Sequence, residues 1–125
     1  MKTVLLTGGA SGIGRAFVDR LSDQGWHVCV LDLNETALAE LATDNVSTYL
    51  CDVAKLEQVE AVITEINSEF ESINRLIHCA AIMPAGKLAT MNAATINYLM
   101  TVNYGGTVNV VQTVLPQMLT QDRGE

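Results

Sequence analysis

The segment Val4-Leu5-Leu6-Thr7-Gly8-Gly9-Ala10-Ser11-Gly12-Ile13-Gly14 passes from an apolar run through four glycines into a helix start within eleven residues. A run of strand length that gives way to a glycine turn and then to helical spacing predicts a strand, a loop and a helix in succession. In a parallel arrangement such a loop opens at the carboxyl edge of the sheet, where the first-turn N–H groups of the helix lack intrahelical partners and can receive a phosphate. Gly8, Gly12 and Gly14 permit a tight turn, a close backbone approach to that phosphate, and close packing of helix on strand.

The same alternation continues outward. Ile13, Ala16, Phe17 and Leu21 mark one face of the first helix, which Gly25 stops before a second strand, His27–Leu33. Asn34 is placed to cap a short helix through Leu38 and Leu41, and Val46–Val53 reads as a third strand. From Lys55 onward Leu56, Val59, Ile63, Ile66 and Phe70 recur at helical spacing. Ile73–Ala80 is a fourth strand, and a final helical region runs from about Met91 to Leu119, bent near Gly105-Gly106. Alternating strands and helices, with strands that are nearly continuous apolar runs, predict an α/β domain over residues 1–125 with a doubly wound parallel sheet ordered 3-2-1-4.

Composition narrows the function classes. Seven Lys and Arg against fourteen Asp and Glu give a net charge of −7, which argues against nucleic acid or an anionic membrane as partner. No apolar run approaches the roughly eighteen residues of a membrane span, and the three apolar residues after Thr3 are too few for a signal-peptide core, so a cytoplasmic address is expected. Cys29, Cys51 and Cys79 form no CxxC pair and read as reduced core residues, with no metal expected. His27 and His78 each sit within an apolar segment and read as packing residues.

Asp32 closes the second strand, eighteen residues after Gly14, where its carboxylate can accept hydrogen bonds from an adenosine ribose and repel a ribose 2′-phosphate. No Lys or Arg adjoins it or stands within the loop, which favours NAD over NADP. With these residues in view the chain resembles the short-chain dehydrogenase/reductase family over nearly its whole length. Thr7–Gly14, TGGASGIG, fits the family's T-G-x-x-x-G-x-G cofactor loop, Asp52-Val53 its adenine-contacting pair, and Val102–Gly106, VNYGG, its V-N-x-x-G helix motif. The resemblance implies a Rossmann-like fold that binds NAD(H) through Gly8, Ser11, Gly12, Ile13, Gly14, Asp32, Leu33, Asp52, Val53, Ala80, Ala81 and Ile82. By the same resemblance Asn103 corresponds to the Asn that holds a water in the family's proton relay. One departure is His78–Ile82, HCAAI, where Cys79 and Ala81 replace the Asn and Gly of the family's N-N-A-G, removing an amide that ties this strand to its neighbours.

The family moves a hydride between nicotinamide and a carbonyl or alcohol carbon, with a Tyr hydroxyl tuned by a nearby Lys as proton donor or acceptor. Tyr49, Tyr98 and Tyr104 are followed four residues later by Val53, Val102 and Val108, so none forms the family's Tyr-x-x-x-Lys pair. The resemblance therefore implies a nucleotide-binding half, truncated after the fourth strand about where a fifth would start, that binds NAD(H) without redox turnover by itself. An unpaired fourth-strand edge, Asn74–Ala80, and an apolar last-helix face of Val108, Val111, Val114, Leu115 and Leu119 predict a homodimer. Two other readings stay open: a dimerising or partner-binding scaffold with a vestigial cleft, or a piece of a longer NAD-dependent oxidoreductase.

Overall fold

The apolar run Thr3–Thr7 forms strand β1, buried at all five positions, in a computed structural model that describes residues 1–125. There follow α1 (Gly12–Asp23), β2 (His27–Asp32), α2 (Glu35–Leu41), β3 (Val46–Leu50), α3 (Leu56–Glu69) and β4 (Arg75–His78). The last third holds α4 (Ala93–Met100), a π-helical turn at Thr101–Gly105, and α5 (Gly106–Thr120). All strands are parallel in the order β3-β2-β1-β4, as the alternation predicts, with Leu5 level with Cys29 on one side and Leu76 on the other.

Side-chain alternation along the central strands divides the core between the two faces. Leu5, Cys29 and Leu31 join Val59, Ile63 and Ile66 of α3 and Val110 and Val114 of α5. Val4, Leu6, Val28 and Val30 join Val18 and Leu21 of α1 and Leu38 and Leu41 of α2. A strand buried on both faces must be apolar throughout, which is why β1 and β2 read as continuous runs. No helix is long and apolar enough to cross a membrane.

Several boundaries differ from the sequence reading. β3 ends at Leu50; the Cys51 N–H still pairs with the Asp32 carbonyl (3.0 Å), and the chain then turns through Asp52–Lys55 into α3. The buried face of α1 is Gly14, Val18 and Leu21, whereas Ile13 is 75% exposed and Phe17 39% exposed. Gly14 lies against the Gly8 carbonyl oxygen, where an added Cβ would stand 2.0 Å away, so its side of the helix must face the sheet. One residue earlier is about 100° around the helix, which turns Ile13 toward the strand ends.

Where the sequence predicts a bend, the structure has the π turn at Thr101–Gly105, and Gly106 serves close approach: a Cβ there would meet Val53 Cγ2 at 2.7 Å. Val114 is 1% exposed and belongs to the core, a correction to its place on the outer helix face. The outer edge of β4 is partly occupied. Glu125 donates its N–H to the Asn74 carbonyl (3.2 Å) and accepts from the Leu76 N–H (2.8 Å), the pattern of a parallel neighbour, and its carboxylate pairs with Arg75.

Candidate functional site

The carboxyl ends of β1, β2 and β4 and the loop after β3 surround a cleft of about 460 Å³. It is lined by Gly8, Ser11, Gly12, Ile13 and Gly14 from the first loop, Asp32 and Leu33 after β2, Asp52 and Val53 after β3, and Ala80, Ala81 and Ile82 after β4. The twelve residues that the sequence assigns to a cofactor are thus drawn from four separate segments into one cavity.

The first loop brings backbone donors to this cleft. Ser11, the N-cap of α1, makes no side-chain capping bond, and no acidic residue stands in the first turn, which leaves the helix terminus without a built-in anion. Gly12 adopts φ +56° with nothing within 4 Å of a would-be Cβ, so its side faces open space. Gly8, at φ +71°, instead lets β4 pass closely: a Cβ would stand 2.6 Å from the Ala80 nitrogen. These glycines and the free helix terminus fit a phosphate-bearing ligand.

Around the loop, the polar groups are held by backbone donors. Asp32 accepts from the Ala10 N–H through Oδ2 and from the Asn34 N–H through Oδ1, both at 3.0 Å. Asp52 Oδ1 accepts from the Ala54 N–H at 3.0 Å, while the Asp52 N–H donates to Gln58 Oε1 at 2.8 Å. Asn109 Nδ2 donates to the Val53 carbonyl at 2.9 Å and ties α5 to the same loop.

At HCAAI the chain is tied to β1 through Thr7. Thr7 Oγ1 accepts from the backbone N–H groups of Cys79 and Ala80, each at 3.2 Å, and lies 2.7 Å from His78 Nδ1. Thr7 and His78 side chains therefore add to the backbone pairing of β4 with β1. Burial lowers the His78 pKa from its ordinary value and favours neutral imidazole. Burial, aided by the Asp52 charge, pushes the Cys51 thiol up to about 11, and burial also raises Cys79, so neither cleft cysteine offers a thiolate near neutral pH.

Asn103 does not line the cleft. Its side chain makes a reciprocal pair with one residue that does: Oδ1 accepts from the Ile82 N–H and Nδ2 donates to the Ile82 carbonyl, both at 2.8 Å. Asn103 sits in the π turn and its own carbonyl accepts from Thr107 Oγ1 at 2.6 Å. Leu31, Cys51, Cys79 and Val102 also line the cleft and were not read from the sequence. Leu31, Cys51 and Cys79 adjoin Asp32, Asp52 and Ala80, which the motifs name, and Val102 opens the VNYGG motif. Thr7 opens the T-G-x-x-x-G-x-G motif, whereas Asn109 carries no sequence signal for its supporting role beyond closeness to the VNYGG motif.

Comparison with known proteins agrees with the fold. The chain is 32% identical over 130 residues to the 3-oxoacyl-acyl-carrier-protein reductase of Staphylococcus epidermidis, covering 98% of this chain and 53% of that protein. It is 31% identical to an uncharacterized oxidoreductase of Staphylococcus saprophyticus, covering 98% and 56%. Among solved structures, an NAD+-bound xylitol dehydrogenase superposes with a TM-score of 0.93 at 28% identity, over 98% of this chain and 50% of the other. The ligand-free aldohexose dehydrogenase of Thermoplasma acidophilum gives 0.85 at 30% identity, over 95% and 45%. The chain spans about half the length of the curated relatives it matches. A family model for short chain dehydrogenases matches residues 2–125, and the chain belongs to that family.

Proposed function

We propose that this chain binds NAD(H) in the cleft at the carboxyl edge of the sheet, prefers it to NADP(H), and by itself carries out no redox turnover. The observation that carries this reading is the assembly of the glycine loop, the uncapped α1 terminus, Asp32 and Asp52 around one cavity. The loop amides and the α1 terminus would receive the pyrophosphate, and Asp32 the adenosine ribose. Beside that carboxylate a 2′-phosphate would meet like charge, with no Lys or Arg adjacent in sequence to offset it. Asp52 and Val53 would flank the adenine, and Ala80, Ala81 and Ile82 would pass along the cofactor with little side-chain bulk at the two alanines.

Bound nicotinamide supplies hydride chemistry. The groups that would handle the accompanying proton are incomplete, since none of the three tyrosines has a lysine four residues later. Asn103 is the one member of the family's catalytic set that the resemblance assigns, and its amide is committed to holding Ile82. Calorimetric titration with NADH and then NADPH tests the proposal. Saturable binding of NADH, weaker by about tenfold or more for NADPH, is expected; no heat at several temperatures up to millimolar ligand refutes it.

A cytoplasmic address and a homodimer form part of the same proposal. Tyr104, Val111, Leu115 and Leu119 follow helical spacing along the π turn and α5 and are 67%, 38%, 43% and 68% exposed. An apolar stripe of this kind favours a partner, and a second copy meets it with an identical stripe. Glu125 occupies the Asn74–Leu76 part of the β4 edge, which moves the proposed contact from the strand to the helix.

A further inference from the structure

We infer that Asp32 is a latch that sets the shape of the glycine-rich loop, so that cofactor preference cannot be altered at this position without also loosening the phosphate cradle. The inference rests on the proposed cofactor reading and deepens it, but the latch itself is visible without a ligand. The Asp32 carboxylate spans two segments. Oδ2 takes the N–H of Ala10, in the middle of the glycine loop and 22 positions away, while Oδ1 takes the N–H of Asn34, where the chain leaves β2 for α2.

No other side chain bonds the backbone of the loop between Gly8 and Gly12. The loop is otherwise held by the Gly8 N–H on the Leu31 carbonyl (2.8 Å) and by the packing of Gly9 and Gly14. Gly8 and Gly12 both sit at positive φ, one of several conformations open to glycine, so the glycines by themselves do not fix the path of the loop. A carboxylate has about four acceptor directions, so two remain for a ribose diol while the latch is closed. Asp32 thus works as a positioning residue for the pyrophosphate through Ala10, besides its proposed direct contact with the ribose.

The two roles have opposite signs for a ligand that never reaches the ribose pocket. If Asp32 acted only as a charge, Asp32→Ala would strengthen binding of inorganic pyrophosphate by removing repulsion. If it is a latch, the same change weakens pyrophosphate binding because the loop amides lose their alignment. The experiment measures amide exchange across Gly8–Gly14 in the ligand-free wild type, Asp32→Asn and Asp32→Ala, then titrates each with pyrophosphate.

The expected result is exchange at Ala10 faster by about tenfold or more in Asp32→Ala, a smaller change in Asp32→Asn, which keeps one acceptor oxygen, and weaker pyrophosphate binding in the order of the exchange rates. Should Asp32→Ala not fold, Asp32→Asn decides by the same readings. Unchanged exchange at Ala10 in the folded variants, or tighter pyrophosphate binding by Asp32→Ala, overturns the latch. A wild type that binds neither pyrophosphate nor NADH overturns the cofactor reading alone, and the ligand-free exchange rates still decide whether Asp32 holds the loop.

Discussion

Gly14→Ala separates packing from helix propensity, because the two act in opposite directions at this residue. Gly14 lies in the first turns of α1, where alanine is intrinsically better than glycine by roughly 1 kcal/mol. Its would-be Cβ, however, stands 2.0 Å from the Gly8 oxygen, 2.8 Å from the Gly8 carbonyl carbon and 3.1 Å from Gly9 Cα. Carbon contacts are comfortable at about 3.5–4.0 Å, so the overlap exceeds an ångström and falls on backbone that cannot rotate away. Overpacking in a well-filled region costs about 1–3 kcal/mol, and contact with backbone puts this case at about 3 kcal/mol or above. After the propensity gain, a net loss of about 2 kcal/mol remains.

An unfolding entropy of about 2.1 cal/mol/K per residue gives roughly 0.26 kcal/mol/K for a chain of this size, so Tm should fall by about 8 °C. Gly12→Ala is the control: no atom lies within 4 Å of its Cβ, and the left-handed φ of +56° alone opposes the change, at roughly 1–2 kcal/mol. The assay is thermal unfolding by circular dichroism at neutral pH. A Gly14→Ala protein with Tm equal to or above that of the wild type refutes the claim that α1 is seated by contact between Gly14 and Gly8.

Two further outcomes follow from the fold. His27 and His78 have pKa values lowered mainly by burial, with Glu69 partly opposing the shift at His27. The unfolded chain therefore takes up protons near 6.5 that the folded chain resists, so stability is fully present above that pH and is lost as pH falls through the lower folded-state values. The slope is bounded at about 1.4 kcal/mol per pH unit for each histidine, and a urea midpoint at pH 5.5 equal to that at pH 7.5 would sink the prediction. For the proposed dimer, Leu115→Glu places a charge in the exposed stripe on α5 and should leave a single chain of 13.5 kDa in light scattering where the wild type shows twice that mass. A wild type that is already one chain at micromolar concentration removes the second copy as the partner.

The four strands, their helices and their order were legible because strands buried on both faces are apolar throughout and glycine turns punctuate them. The cleft residues were legible for a related reason: in a parallel sheet each strand delivers its next few residues to one edge, so order in sequence becomes convergence in space. The buried side of α1 was not, since Ile13 and Phe17 are as apolar as Val18 and the periodicity allowed either face. Contact between Gly14 and Gly8 settles it. Similarly, Val114 shares the helical spacing of Val111 and Leu115, and packing against α3 and β4 draws it inward.

What the sequence by itself determined is the class of fold, the family resemblance and the list of groups that meet at the sheet edge, all of which depend on local periodicity and spacing. Tertiary structure alone decided which groups support one another across distant segments. Asp32 reaches Ala10, Thr7 receives Cys79 and Ala80, Asn103 grips Ile82, and Glu125 lies beside Asn74. Such pairings depend on the distance and angle between backbone groups brought together by packing, and neither quantity has any counterpart in residue order.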